Sequence, residues 1–77
     1  MNKERRKRIE DVIAQLQDLQ EEVIYIASEE REAFENLPEG IQYSERGEAM
    51  EENADSLDEV DADIENLIDA LQDIIDR

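Results

Sequence analysis

Seven carboxylates, Glu51, Asp55, Asp58, Glu59, Glu65, Asp69 and Asp73, recur largely at intervals of three and four residues in the second half of the chain. Paired carboxylates serve as general acid and base only where burial drives one pKa toward neutrality, and a ribbon on a helix surface stays hydrated. Calcium needs a compact oxygen cage built on a glycine-bearing loop, whereas "DADIENLID" has helical spacing. There is no His and no Cys. The Glu-x-x-His pattern of di-iron bundles, zinc sites of His and Cys, thiolate catalysis and disulfides are therefore all absent. Gly40 and Gly47 form neither a P-loop nor a dinucleotide fingerprint. No catalytic, cofactor-binding or metal-binding residue is assigned, and a non-enzymatic protein is expected.

What the ribbon can do is present charge. The acid-on-acid pairs 51–55, 55–59, 61–65, 65–69 and 69–73 each cost an isolated helix about 0.2–0.5 kcal/mol. Helix formation does not require them. Carboxylates one turn apart stand roughly 5–6 Å from each other, close to the phosphate spacing along a nucleic-acid strand. Such a ribbon could occupy the cationic groove of a nucleic-acid-binding protein by charge mimicry. An acidic outer surface that serves solubility alone remains the alternative.

The rest of the charge distribution agrees with either reading. The 77 residues carry 24 acids and 8 bases, a net of −16. Five bases, Lys3, Arg5, Arg6, Lys7 and Arg8, crowd the start; residues 9–76 hold 23 acids against Arg31 and Arg46 alone. Such a body repels nucleic-acid phosphate and anionic lipid, so direct nucleic-acid binding and membrane association are not expected, and a basic protein is the expected partner. No apolar run approaches the roughly 20 residues of a membrane span. A start at Met1 with no apolar core after it argues against a signal peptide and for a cytoplasmic protein.

Two helices must position these charges. In the first half Ile9, Leu16, Val23 and Leu37 share one heptad position, a, with Glu30 interrupting. Val12, Leu19, Ile26 and Ala33 share d, and Ile13, Ala27 and Phe34 share e, with Gln20 as the exception. The second half repeats the pattern with Met50, Leu57, Ile64 and Leu71 at a, Val60, Leu67 and Ile74 at d, and Ile68 and Ile75 widening the stripe. This spacing predicts amphipathic helices over about 3–36 and 45–76. Between them lie the only proline and both glycines. Pro38 disfavours helix at Leu37, Gly40 can turn the chain in a left-handed conformation, and Ser44 can cap the second helix, with Glu45 and Glu48 near its positive end. Phe34, Leu37, Ile41 and Tyr43 are expected to close over that end as an apolar lid.

The helix termini set a direction. Lys3–Arg8 is the wrong sign for a helix N-terminus, and Asp69, Asp73 and Asp76 are wrong for a C-terminus. An antiparallel two-helix hairpin brings the two ends together, and Glu30 near Asn53. The expected fold is thus all-α, a single domain over residues 1–77. The stripes approach three residues in seven, more than a two-helix seam needs, and "VIYIA" at 23–27 is apolar all round. A second hairpin is expected to cover the surplus, giving a homodimeric four-helix bundle. The self-association candidates are Leu16, Gln20, Val23, Ile24, Tyr25, Ala27, Ile68 and Ile75. The alternative function is a structural or assembly dimer.

The basic start "MNKERRKRIE" and the central "EREAFENLPEGIQYSERGEAMEE", above all "NLPEGIQYSERGEAME", give the whole chain a resemblance to small uncharacterised acidic helical proteins of bacteria, phages and other mobile elements. The resemblance implies a compact helical accessory protein and brings no reaction or cofactor with it. Within that motif, Glu39, Tyr43, Glu45, Arg46 and Glu48 are further partner-binding candidates. Gly47 is unusual in a first helical turn, where Ala would be better by up to about 1 kcal/mol, and suggests close approach by a neighbouring helix or another protein.

Overall fold

The computed structural model describes all residues, Met1–Arg77. It is all-α: α1 spans Lys3–Glu35, a single-turn α2 spans Glu39–Gln42, and α3 spans Glu45–Ile75. Both long helices end one residue before the sequence predicts. Asn2 caps α1, its Oδ1 accepting from the Arg5 backbone N–H at 2.8 Å, and Ser44 Oγ caps α3 by accepting from the Gly47 N–H at 3.5 Å.

The molecule measures 59 × 15 × 12 Å between Cα atoms, whereas one continuous helix of this length would exceed about 110 Å. The tertiary contacts lie chiefly between α1 and α3. Side-chain hydrogen bonds fix their direction: residue 20 stands level with residues 61 and 65, and residue 31 level with residues 55 and 58. The two chain directions are therefore opposed.

The chain reverses without a left-handed residue. No glycine has positive φ, which corrects the expectation for Gly40. Two corners do the work. At the first, Asn36 (φ −82°, ψ −7°) ends α1 and extended Pro38 (φ −54°, ψ 143°) starts α2. At the second, Tyr43 (φ −89°, ψ 5°) is followed by extended Ser44 (φ −86°, ψ 170°). A near-helical residue followed by an extended one bends the chain as well as a left-handed glycine does, and any residue can adopt either state.

Gln42 ties the first corner to the second. Its Nε2 donates to the carbonyls of Phe34 and Glu35, each at 3.2 Å, satisfying two C-terminal acceptors of α1. Gln42 thus takes the inner place expected of Tyr43. Phe34 and Leu37 are half-buried, but Ile41 is exposed and Tyr43 is 76% exposed, so the apolar lid does not close over them. Gly47 is buried beneath this corner. A Cβ there would meet the Gln42 carbonyl group and lie 2.6 Å from the Ile41 carbonyl oxygen, both rigid backbone. The close neighbour is therefore α2 of the same chain.

The core is thin. Its apolar members are Ile13 and Ala27 on α1 with Ala54 and Ile68 on α3. All four fall on the e columns, and the a columns are half-buried on both helices. Small Ala27 and Ala54 occupy the seam toward the turn, and the larger Ile13 and Ile68 fill it toward the open end. The expected a/d seam is accordingly an a/e seam. Ala27, Ile68 and Gln20, expected to mediate self-association, are engaged within the chain, and half-buried Leu16, Val23 and Ile75 border the same seam.

Candidate protein-interaction surfaces

Two surfaces remain after the intrachain seam is made. The first is apolar. Because e faces inward, the d column is turned out on both helices: Val12, Leu19 and Ile26 on α1 and Val60 and Leu67 on α3 are exposed, Leu19 at 59% and Leu67 at 55%. From e through a to d the stripe turns one way round each helix axis; since the axes are opposed, both d columns emerge on the same side of the molecule. With the half-buried a residues between them they form one continuous apolar face. Shallow open grooves mark its two ends. One is lined by Met1, Arg5, Arg8, Ile9 and Val12 among others; the other joins Glu30 to Asn53, Leu57 and Val60. Ile24 and Tyr25 are also exposed but occupy positions b and c, outside this face.

The second surface is acidic and lies away from the d columns. Glu51, Asp58 and Glu65 fall at b, Asp55 and Asp69 at f, and Glu59 and Asp73 at c; all seven are exposed. The structure does not leave them all free. Arg31 Nη2 donates to Asp58 Oδ2 at 2.9 Å and to Asp55 Oδ1 at 3.3 Å. The hydrogen bond and charge of Asp58, followed by those of Asp55, raise the Arg31 pKa above its usual range. Gln20 Nε2 donates to Asp61 at 2.9 Å and to Glu65 at 2.8 Å. Glu51, Glu59, Asp69 and Asp73 have no side-chain hydrogen bond or ion pair within the chain. No three carboxylates converge closely enough to hold a metal ion.

The turn candidates Glu39, Tyr43, Glu45, Arg46 and Glu48 are all exposed. They cluster at the end of the rod and extend the acidic surface around it.

The expected pairing of the two termini does not form. The chain's ion pairs are the two made by Arg31, so Lys3, Arg5, Arg6, Lys7 and Arg8 have no carboxylate within 4.0 Å. Asp76 instead accepts from Gln72 at 3.1 Å. Long exposed side chains lose entropy when held in a surface pair and gain little Coulomb energy in water, so opposite charges at the same end need not pair. The inward role of the e column was the feature missed by sequence reasoning. Its signal was present: Gly47 and Ala54 lie seven residues apart on the column of Ile68 and Ile75, as small residues do where two helices meet closely.

No helix is long and apolar enough to cross a membrane. No protein-family model, curated protein or solved structure matches the chain.

Proposed function

We propose that this chain is a non-enzymatic protein-interaction module whose working form is a homodimer of antiparallel helical hairpins, packed as a four-helix bundle with the acidic side of α3 turned outward. The continuous d-column face carries this reading. Only 5 of 77 residues are buried, and the chain exposes 5936 Å². A compact monomer of 9.0 kDa would expose about 4,900 Å². The face runs from Ile9 to Ile26 on α1 and from Leu57 to Ile74 on α3, about 26 Å along the rod, and nothing within the chain covers it. A second copy supplies a matching apolar face of equal length.

In that bundle the b, f and c positions of α3 remain on the outside. The acidic ribbon and the turn cluster would then dock on a basic protein, taking the place of a nucleic acid in its groove. One observation favours the second reading, a structural or assembly dimer whose charge serves solubility. Asp55, Asp58 and Glu65 are engaged with Arg31 and Gln20, which interrupts the ribbon.

Light scattering over a dilution series tests the dimer: the mass should be about twice 9.0 kDa and fall to the monomer when Leu19→Glu and Leu67→Glu are combined. A monomer at all concentrations would refute it. Capture from the native host at low salt, followed by mass spectrometry, separates the two functions. A mimic retains a cationic protein that salt releases; a structural dimer retains none.

A further inference from the structure

We infer that the two hairpins pair antiparallel to each other, with Leu19 and Leu67 at the twofold centre and Arg5 and Arg8 of each copy facing Glu29 and Glu30 of the other. This inference rests on the homodimer reading above and adds its orientation.

The apolar face has defined limits. On α1 it runs from Ile9 to Ile26. On α3 it runs from Leu57 to Ile74, which the cross-helix hydrogen bonds place at the same levels. Its midpoint falls near Leu19 on one helix and Leu67 on the other, the two most exposed of the large apolar side chains in the d columns. Either a parallel or an antiparallel partner can cover this apolar length. What lies beyond each end distinguishes them.

Beyond the open end, positions d and g on the same face are Arg5 and Arg8, which rim the groove over Ile9 and Val12. Beyond the turn end, positions g and a are Glu29 and Glu30, and Glu30 rims the groove over Leu57 and Val60. Reflected through the midpoint, the level of Arg8 falls on Glu29 and Glu30, and that of Arg5 falls one turn further toward the bend. Antiparallel pairing therefore sets the basic-rimmed groove of one copy against the acid-rimmed groove of the other, twice.

Parallel pairing, with the twofold along the rod, lays α1 over the other copy's α3. Arg5 and Arg8 then meet the level of Ile74, Glu29 and Glu30 meet that of Asn53 and Ser56, and no basic-rimmed groove faces an acid-rimmed one. The wider charge points the same way. Side chains of residues 1–10 and 68–77, at the open end, sum to +1, from six bases and five acids. Residues 28–55, around the turn, sum to −8, from two bases and ten acids. Like charges placed across an interface oppose association and select against the wrong register. The arrangement also accounts for two features the isolated chain leaves without a purpose. The basic cluster has no intrachain partner, and Glu30 interrupts an otherwise apolar a column while remaining half-buried.

Pulsed dipolar spectroscopy on the full chain with Lys3→Cys, spin-labelled, tests the orientation; the sequence contains no other cysteine. Antiparallel copies hold the two labels about 45 Å apart along the axis, whereas parallel copies hold them within about 25 Å. A short distance in a confirmed dimer overturns the orientation alone, and a monomer by light scattering overturns both readings. A charge exchange gives an independent answer. R5E/R8E should weaken dimerisation about tenfold or more at low salt, and R5E/R8E/E29K/E30K should recover it. Failure of the fourfold variant to recover, with its helicity intact, rejects the proposed contacts.

Discussion

Gln20 on α1 donates to Asp61 on α3 at 2.9 Å, and these two residues are the polar interruptions of the e columns between Ile13 and Phe34 on α1 and between Gly47 and Ile75 on α3. Each would be out of place alone on the seam. Together, with Glu65 as a second acceptor at 2.8 Å, they set the register of the two long helices. Gln20→Leu should therefore destabilise the chain by about 1–2 kcal/mol, because half-buried Asp61 loses its donor. The double variant Gln20→Leu/Asp61→Leu should recover that loss or exceed wild type. Urea unfolding of the three variants checks this, and additive losses in the double would contradict it.

The two glycines should respond to alanine with opposite signs. Gly40 lies in α2 with nothing within 4 Å of a built Cβ, so Gly40→Ala should stabilise by about 0.4–1 kcal/mol. At Gly47 the added methyl would strike the backbone carbonyls of Ile41 and Gln42. Gly47→Ala should cost more than the roughly 1 kcal/mol that helix propensity returns, for a net loss. Thermal unfolding midpoints moving in the same direction would contradict the packing described here.

Arg31 is the one cation paired within the chain, and its side chain is still 41% exposed. Its hydrogen bond and attraction to Asp58 raise its pKa. A raised pKa gives stability that is complete below the unfolded value and lost only as pH passes the folded one. Arg31 thus remains charged throughout any ordinary folding experiment, and raising the pH from about 6 to 10 should not titrate this contact. Arg31→Gln should lower the unfolding midpoint slightly at low salt and negligibly near 0.5 M, where screening removes most of an exposed pair's attraction. A salt-independent loss would mean that the side chain acts through packing.

Neutralising Asp55, Glu59, Glu65 and Asp69 to their amides removes the acid-on-acid pairs 55–59 and 65–69. Helicity by circular dichroism should hold or rise, since each such pair costs about 0.2–0.5 kcal/mol. Capture of a basic partner should be lost in the same variant. Unchanged capture would exclude the ribbon as the docking surface and leave the turn cluster around Tyr43.

Much of this could be read from the order of residues. Heptad spacing marked the long helices to within one residue at their ends, because an amphipathic stripe of that length has no other regular conformation that buries it. Ser44 was recognisable as a cap because a hydroxyl before a periodic run can satisfy a free helical N–H. The conformation of Gly40 was not legible: permission to adopt positive φ is no requirement for it, and two ordinary corners served instead. Neither was the exposure of Tyr43, which follows from Gln42 reaching the α1 carbonyls first.

The seam shows the division most clearly. Composition and periodicity by themselves determined two amphipathic helices, an acidic outer surface and more apolar stripe than one helix pair needs. Which column turns inward was decided only by packing. The e columns combine small Ala27 and Ala54 toward the turn with the larger Ile13 and Ile68 toward the open end, and Gln20 meets Asp61 in a single register. Helical spacing is a property of each segment alone, but the distance between two helix axes depends on which side chains meet. That choice left Leu19 and Leu67 facing outward.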